Sequence, residues 1–407
     1  MWLSGESSAR GQSLASLRAG FAKAEITPDR SADLMGYGLA HRGRGNDGVN
    51  DPLFVRACCL KANDQAAYLV SFDLCVLPTD VARKMREHLC KELAAPPENV
   101  LLAATHTHSG PYPSAEYFQS ITPKVINACR RAEGLTFPVT AAVREAPLGI
   151  AYDRRVMTDD GVKMCFGPQE FDHRTPTTAA DPTCTLLALT QANGPRRYLL
   201  WSLGAHPVTL GKTSRVISAD YPGRACEMLA AEEANTHALF TLGACGHSQP
   251  WIATQENPAG VEKVARAAAS FVSLLAEGVR PITFEKDQPL LICVTKAVSI
   301  SKTELDLTVW RLGDTCVVGA PVELFGELAV DLRRRLGGPV LLATLAGGWE
   351  LYCPTAEALK AGGYEAGATR PGFQAGDGEK LIDEIVALAK TLRDVPKVKA
   401  ATEAPQG

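Results

Sequence analysis

The 407-residue chain has no excess of positive charge, no long apolar run and no C-x-x-C motif. Its 42 lysines and arginines against 45 acidic residues give a net charge of -3, which excludes the basic footprint of a nucleic-acid-binding protein. No stretch approaches the roughly 18 continuous apolar residues of a membrane helix, so we expect no transmembrane segment. Internal repeats and long linkers are also missing, which argues against separate domains.

The 12 cysteines are scattered singly, apart from the adjacent pair Cys58 and Cys59. Free thiols packed as small hydrophobes in a reducing compartment explain this pattern best, and a secreted disulfide framework is the alternative. Residues 1–17 are rich in Ser, Gly and Arg and have no apolar run of signal-peptide length, so we interpret them as a disordered leader. We therefore predict a cytoplasmic protein.

Apolar runs and helical stripes follow one another along the chain, which predicts an α/β (mixed α+β) protein. The runs at 53–62 and 66–72 predict a hairpin, and the stripe within 78–94 predicts a helix that leads to a buried parallel strand at 100–104. Further strands are predicted at 17–26, 138–144, 181–191, 196–203, 238–242, 290–299, 304–311, 315–319 and 340–345, and further helices at 122–132, up to 234, at 260–277 and at 378–392.

Two histidines, His106 and His108, stand at the carboxyl end of the strand predicted at 100–104. Ligands of α/β sheets bind at such strand ends. If extended geometry continues through the pair, both imidazoles leave on the same face, an arrangement that suits a metal ion, an oxyanion or a proton shuttle. A polar strand end capped by backbone carbonyls is the alternative, because the spacing alone is a weak signal.

Other polar residues follow predicted strands in the same way. His206 comes after the strand at 196–203, where Pro207 prevents regular continuation. The small-residue turn at 243–250 either exposes backbone N–H groups to a substrate or is a plain tight turn. Glu323 is predicted in the first turn of a helix, where the helix dipole alone explains a carboxylate. For the adjacent Arg154 and Arg155, the default prediction is that they pair with acidic residues at the surface.

Seven short motifs occur along the chain in the same order as in one known enzyme family. They are AEITP (24–28), MGY (35–37), THTHSGP (105–111), AHPVT (205–209), SADYPG (218–223), GACG (243–246) and PVE (321–323). Together they resemble the catalytic domain of the neutral/alkaline (non-lysosomal) ceramidase family over roughly residues 17–392. The resemblance implies a single large catalytic domain over 18–394, with mixed β-sheets flanked by helices, no C-terminal immunoglobulin-like domain, and a flexible tail over 395–407.

The resemblance also implies a zinc site. In that family a zinc ion activates water to cleave an amide bond, and the matching ligands here are His106, His206, Glu323 and Tyr352. Such a donor set with an open position is typical of catalytic zinc. Tyr352 either binds as the phenolate, which a neighbouring cation favours, or stays protonated and donates to the oxyanion.

Three further residues are implied near the substrate. His108 would lie beside the substrate carbonyl, Arg154 would hold the polar end of the substrate, and Tyr364 would help to stabilise the oxyanion. His41, His88, His173 and His237 lack a neighbouring motif and are interpreted as surface or core residues.

The turn at 243–250 departs from the family. Gln249 stands opposite the family's serine, and Ser248 lies one position early, so the role of this segment stays open. His247 either contacts the substrate or braces the loop. Without a secretion signal or a membrane-facing module, we expect a cytosolic, small or lipid-like N-acyl substrate that differs from ceramide. A zinc-dependent hydrolase of an ester, lactone or glycosidic bond and a non-catalytic binding protein are the alternatives.

Overall fold

The computed structural model describes residues 17–37, 45–62, 65–167, 178, 180–286 and 288–393. The predicted leader, apart from Leu17, the predicted tail, the expected hairpin turn at 63–64, and His41 and His173 lie outside these residues.

The strands are β1 (Leu17–Glu25), β2 (Gly48–Val49), β3 (Phe54–Ala62), β4 (Gln65–Phe72), β5 (Val100–Ala104), β6 (Phe137–Pro147), β7 (Ala151–Asp153), β8 (Arg155–Thr158), β9 (Gly161–Met164), β10 (Thr183–Gln191), β11 (Arg197–Leu203), β12 (Val216–Ile217), β13 (Thr236–Leu242), β14 (Ser248–Pro250), β15 (Arg280–Pro281), β16 (Leu291–Ile300), β17 (Thr303–Leu312), β18 (Thr315–Ala320), β19 (Glu323–Leu324), β20 (Val340–Thr344) and β21 (Tyr352–Cys353). The helices are α1 (Thr79–Leu93), α2 (Ala115–Gly134), α3 (Asp220–Glu232), α4 (Ala259–Glu277), α5 (Gly326–Leu336), α6 (Ala356–Ala361), α7 (Tyr364–Gly367) and α8 (Asp377–Thr391).

Most of the predicted strands enter one large sheet. Its order is β13-β11-β10-β6-β1-β3-β4-β5, with β15 added beside β6. The middle of the sheet is antiparallel, whereas β4 pairs parallel with β5 and β11 pairs parallel with β13. The predicted pairing of 53–62 with 66–72, and the parallel strand reached through α1, are both confirmed.

The large sheet curls until β4, the strand beside one edge, comes against β13 at the other edge. Ser71 in β4 donates a hydrogen bond to the carbonyl of Phe240 in β13 at 2.6 Å. A second sheet, β16-β17-β18-β20, lies against this seam. Thr241 in β13 donates to Leu342 O in β20 at 3.0 Å, and the residue pair Ala103 and Ala346 forms an isolated bridge from β5. The carboxyl ends of β5, β11, β13, β18 and β20 therefore gather in one place.

The two sheets and the helices on either side of them form four layers, and side-chain alternation along the strands explains this order. Neighbouring residues of β5 face opposite ways, Leu102 into a core shared with α1 to α4 and Leu101 into the core between the sheets. Val317 of β18 faces the inter-sheet core, and Val318 faces a third core with α5 and α8. Period-two alternation within these strands of five and six residues, buried on both faces, produces this order of helices, sheet, sheet and helices.

One predicted helix differs in its start. α2 begins at Ala115 instead of 122, because Ser114 caps it by accepting a hydrogen bond from the N–H of Tyr117 at 3.1 Å. Pro123 lies inside this helix. No helix in the described ranges is long and apolar enough to cross a membrane. All 12 cysteines lie within those ranges as free thiols, nine of them buried.

Candidate metal site at the sheet seam

The first histidine lies directly beyond β5, where the chain leaves the sheet. The N–H of His106 donates to Leu74 O at 2.8 Å, and its backbone φ is +74°. This left-handed conformation is uncommon outside glycine and is often retained at functional sites. Nδ1 of His106 donates to Cys75 O at 2.7 Å, which leaves Nε2 facing inward. Extended geometry therefore does not continue through the H-x-H pair, so the condition for both rings leaving on one face is not met, although the two rings still face one another.

The second histidine, His206, follows β11 and is fully buried. Its Nδ1 donates to Cys245 O at 2.7 Å, and Ser248 O lies 3.2 Å away. Its Nε2 lies 3.1 Å from Glu323 Oε2. The carbonyls of the turn at 243–250 thus fix the ring orientation of His206 and leave one nitrogen for a ligand.

Glu323 lies in a strand and not in a helix. It forms β19, whose two residues pair parallel with β21, so that Glu323 lies opposite Tyr352. Helix α5 begins later, at Gly326. The predicted helical first turn, and the helix-dipole explanation of the carboxylate, are therefore wrong. Glu323 Oε1 accepts a hydrogen bond from Trp349 Nε1 at 3.0 Å, and this contact turns Oε2 toward the histidines.

These three side chains bring their donor atoms to one point. Glu323 Oε2 lies 3.1 Å from His206 Nε2 and 3.6 Å from His106 Nε2. Ligands at about 2.0–2.2 Å from a tetrahedral zinc ion are separated by about 3.3–3.6 Å. All three residues are buried, with at most 2% of their surface exposed. Their carbonyl and indole partners hold each ligand from behind, as at known metal sites. The donor set therefore fits a divalent cation.

Protonation states in the site follow from burial and charge. Burial, together with the nearby Arg154, lowers the pKa of His206 to about 4, so this imidazole is neutral at pH 7. Burial opposes the ionisation of Glu323, but the neighbouring His106 and His206 hold the pKa of this carboxyl well below its usual range. Burial also opposes the charged form of His106, yet Cys75 and Glu323 raise its pKa to about 10. A metal must therefore displace a proton from His106.

Cys245 also belongs to this cluster. His106, His206, Cys245 and Glu323 each offer one ligand atom, and these atoms all lie within 4.8 Å of one another. A thiolate is a suitable ligand for zinc and for other soft cations. Sequence reasoning noted the GACG motif but did not place its cysteine among the ligands. The available signal was its position just after β13, which matches the position of His206 after β11.

His108 lies on the open side of His106. The Nε2 atoms of the two rings are 3.3 Å apart, and the rings are nearly perpendicular with centroids 4.6 Å apart. Tyr37 packs edge-on against His108 at 4.9 Å. Gly36 has a φ of +106°, and a Cβ atom there would lie 2.7 Å from His108 Cβ. The MGY motif therefore supports the second histidine of the pair from behind.

The two adjacent arginines are buried, so the predicted surface ion pair is wrong. Arg154 is 4% exposed and Arg155 is 1% exposed. Nη2 of Arg154 donates to the hydroxyl of Tyr352 and to Gly246 O, each at 3.1 Å. Its Nε donates to Glu365 Oε1 at 2.8 Å. Burial disfavours the charge of Arg154, but Tyr352 and Glu365 outweigh it and raise its pKa.

Two tyrosines lie beside this arginine. The ring of Tyr352 is 6.3 Å from that of His206 and 5.9 Å from that of Tyr364. Tyr352 is buried, whereas Tyr364 is 58% exposed and forms the outer edge of the cluster. Burial and the charge of Glu323 raise the pKa of Tyr352 well above its ordinary value, and Arg154 opposes the shift. Without a metal, Tyr352 is therefore a neutral phenol.

The altered turn at 243–250 is occupied by internal contacts. Ser248 Oγ donates to Gly204 O at 2.5 Å. Gln249 Nε2 donates to the hydroxyl of Tyr152 at 2.5 Å and to Cys165 O at 2.9 Å. His247 is fully buried and stacks on Phe325 at 4.6 Å. These contacts favour bracing of the loop over contact with a substrate.

The two remaining histidines in the described ranges lie away from the cluster. His237 stacks on Phe21 with ring centroids 5.1 Å apart. The side chain of His88 is 54% exposed and lies 4.0 Å from Glu92. Both agree with their interpretation as core or surface residues.

Two solved structures share this arrangement of elements. A ceramidase complexed with C2 superposes with a TM-score of 0.78 and 17% sequence identity, over 96% of this chain and 77% of that chain. Neutral ceramidase from Pseudomonas aeruginosa superposes with a TM-score of 0.73 and 19% identity, over 96% of this chain and 77% of that chain. No protein-family model matches the sequence. The resemblance drawn from the seven motifs is confirmed for the fold, and the chain has the mixed α/β architecture of a neutral-ceramidase-like catalytic domain.

Proposed function

We propose that this protein is a zinc-dependent hydrolase that cleaves an amide (N-acyl) bond. The observation that carries the proposal is the convergence of His106, His206 and Glu323, buried and held from behind, at the seam of the curled sheet. A bound zinc ion supplies Lewis acidity, which polarises a carbonyl and makes water nucleophilic at neutral pH. The ceramidase neighbours, which share the fold, support amide chemistry over other hydrolysis.

Tyr352 would be the fourth ligand. It lies opposite Glu323 in the β19–β21 pair and accepts a hydrogen bond from Arg154 at 3.1 Å. That guanidinium stabilises negative charge on the phenol oxygen, as a cation does for any neighbouring acid. Cys245 is a second donor within reach of the same cluster.

Three residues would act on the substrate. His108 lies beside the metal ligands, where it would donate a hydrogen bond to the carbonyl oxygen as charge develops there. Tyr364, at the exposed edge, would donate to the same oxygen. Arg154 would hold the polar end of the substrate with its Nη1 group, which meets no acceptor among the described residues, while Nε and Nη2 are engaged.

A small or lipid-like N-acyl compound fits these features. The polar groups are buried, whereas the site ends at the half-exposed ring of Tyr364, against which an apolar chain could lie. One neighbour of the same fold is a ceramidase complexed with C2. The free thiols support a cytoplasmic location, where ceramide in a membrane is a less accessible substrate than a dissolved N-acyl compound.

A substrate panel tests the proposed reaction. Purified protein loaded with zinc is assayed on matched N-acyl amides, esters, lactones and glycosides, with metal content measured in parallel. We expect turnover of amides and its loss after chelation. Preferred cleavage of an ester, lactone or glycoside would replace the amide assignment. A protein with bound zinc and no turnover on any class would be a binding protein.

Metal binding is expected to release about two protons per site at pH 6. His106 holds one, since its pKa is about 10, and the buried phenol of Tyr352 holds the other. Bound water keeps most of its protons at this pH. Because protons compete with the cation, metal affinity should rise with pH.

Release is measured by adding zinc to weakly buffered protein with an indicator dye. The Tyr352→Phe variant should release about one proton; equal release from both proteins would show that Tyr352 stays protonated.

Replacing Gly36 with alanine is expected to lower kcat/KM at least about tenfold while zinc content is retained. A side chain at φ +106° is strained, and its Cβ would push directly on His108. Steady-state kinetics and metal analysis check this. Gly134→Ala is the control, because a Cβ atom there meets nothing within 4 Å. Unchanged kinetics in Gly36→Ala would remove His108 from the proposed machinery.

A further inference from the structure

One carboxylate binds both buried arginines. Glu365 Oε1 accepts from Arg154 Nε at 2.8 Å, and Oε2 accepts from Arg155 Nη1 at 3.3 Å. Glu365 is 1% exposed, and neither arginine exceeds 4%. The two oxygens are thus divided between two cations in a space almost closed to water, where charge-assisted hydrogen bonds are strong and geometry is well defined.

This carboxylate fixes the plane of the Arg154 guanidinium. A guanidinium is a rigid planar fork, so binding its Nε sets the directions of the other two nitrogens. With Nε on Glu365, Nη2 reaches both Gly246 O and the hydroxyl of Tyr352 at 3.1 Å. The contact of Arg154 with Tyr352 therefore depends on the third partner, Glu365.

The same carboxylate also fixes the segment that carries Tyr364. Arg155 is held by Glu365 and donates from Nη2 to Ala358 O at 3.1 Å and to Gly362 O at 2.9 Å. These two carbonyls belong to α6 and to its C-cap, immediately before α7. Arg155 thus joins β8 to the segment in which Tyr364 and Glu365 are neighbours.

We infer that Glu365 is a positioning residue of the proposed active site, which orients Arg154 against Tyr352 and holds Tyr364 at its edge. The inference rests on the proposed function. A buried ion cluster by itself is weak support for stability, because the cost of desolvation offsets its attraction. Through Arg154 the contacts of Glu365 reach the proposed ligand Tyr352, and through Arg155 they reach the segment that carries Tyr364. A cluster with a purely structural role would not need both connections.

The test replaces Glu365 with glutamine, which keeps the shape and removes the charge. In protein loaded with cobalt(II), whose visible absorption reports the ligands around the metal, we expect Glu365→Gln to bind one equivalent and to show an altered spectrum. With the zinc form, kcat should fall about 10- to 100-fold, the range seen when residues behind metal ligands are changed. KM should change less than kcat. Glu357→Gln, an exposed carboxylate of α6, is the matched control and should change neither reading.

A double-variant comparison identifies the route of the effect. If Glu365 acts through Arg154, then Glu365→Gln should alter the cobalt spectrum and kcat far less in an Arg154→Lys background than in the wild type. A loaded, active wild type whose spectrum and kcat are unchanged by Glu365→Gln would overturn the inference alone. Effects that simply multiply with those of Arg154→Lys would overturn the orientation of Arg154 by Glu365. A wild type that binds cobalt but hydrolyses nothing would overturn the proposed reaction, while the spectra still decide the positioning role. A wild type that binds no metal would overturn both.

Discussion

Replacing His206 with alanine is expected to abolish metal binding and nearly all of the proposed hydrolytic activity. His206 supplies the nitrogen nearest to Glu323, at 3.1 Å, and its neutral state at pH 7 requires no proton loss. Lewis-acid stabilisation is worth several kcal/mol, so about 4 kcal/mol corresponds to roughly a thousandfold fall in kcat/KM. Metal analysis and kinetics on the same preparation measure both effects, and His106→Ala should behave alike.

The control is His88→Ala, because this side chain is 54% exposed on α1, far from the cluster. It should keep full metal content and rate. Thermal unfolding adds a second reading: zinc should raise the Tm of the wild type and of His88→Ala but not that of His206→Ala, since a ligand stabilises only the state that binds it. Stoichiometric zinc with full turnover in His206→Ala would contradict the proposed site.

The largest expected loss of stability comes from Arg56→Met. Arg56 and Asp73 are 2% and 0% exposed, and Nη1 lies 2.6 Å from Asp73 Oδ2, which also accepts from the N–H of Phe54 at 2.9 Å. Removing the guanidinium leaves a buried carboxylate without its cation. Such a change costs about 3–5 kcal/mol of unfolding free energy. Chemical denaturation at pH 7 measures it.

The loss should depend on pH with a defined sign. Burial already raises the pKa of Asp73, and Arg56 opposes this shift, so the pKa rises further in Arg56→Met. The destabilisation is therefore greatest at neutral pH and shrinks as the pH falls through the folded-state pKa of Asp73, because protonation removes the buried charge before the unfolded chain titrates near 3.9.

Two further variants serve as a rescue and as a control for this prediction. Arg56→Met combined with Asp73→Asn should recover most of the lost free energy, because neither charge remains and the amide still accepts from Phe54. Arg266→Ala, which breaks an exposed pair with Glu262, should change the unfolding free energy by less than about 1 kcal/mol. Equal losses in Arg56→Met and in the double variant would place the effect in packing and not in charge.

Local patterns predicted the elements but not every ligand. The apolar run before His106 has the length and composition of a buried strand, and β5 has the predicted bounds. Pro321 before Glu323 favours a helix start, yet the parallel pairing of Glu323 with Tyr352 outweighs that local preference. A two-residue strand has no periodicity of its own, so no sequence window reveals it.

Burial of charge was also beyond local patterns. Arg154 and Arg155 follow an apolar run as an ordinary surface pair would, and their common partner Glu365 lies 211 and 210 positions away. Separation along the sequence also explains why Cys245 was missed, because its neighbours in the cluster come from other strands. The family resemblance supplied what local patterns did not, since three of the four expected ligands, His106, His206 and Glu323, lie within its motifs. Their roles stay predictions until the metal is measured.

The seam between the two edges of the curled sheet has a consequence for biosynthesis. Histidine and carboxylate ligands that touch in the finished protein are 117 positions apart, and the tyrosine follows later still. A nascent polypeptide that has emerged from the ribosome only as far as β13 holds both imidazoles without their acidic partner. In the proposed site, all of these ligands can therefore hold a cation together only after the segment with Glu323 and Tyr352 has been released and the second sheet has packed on the seam.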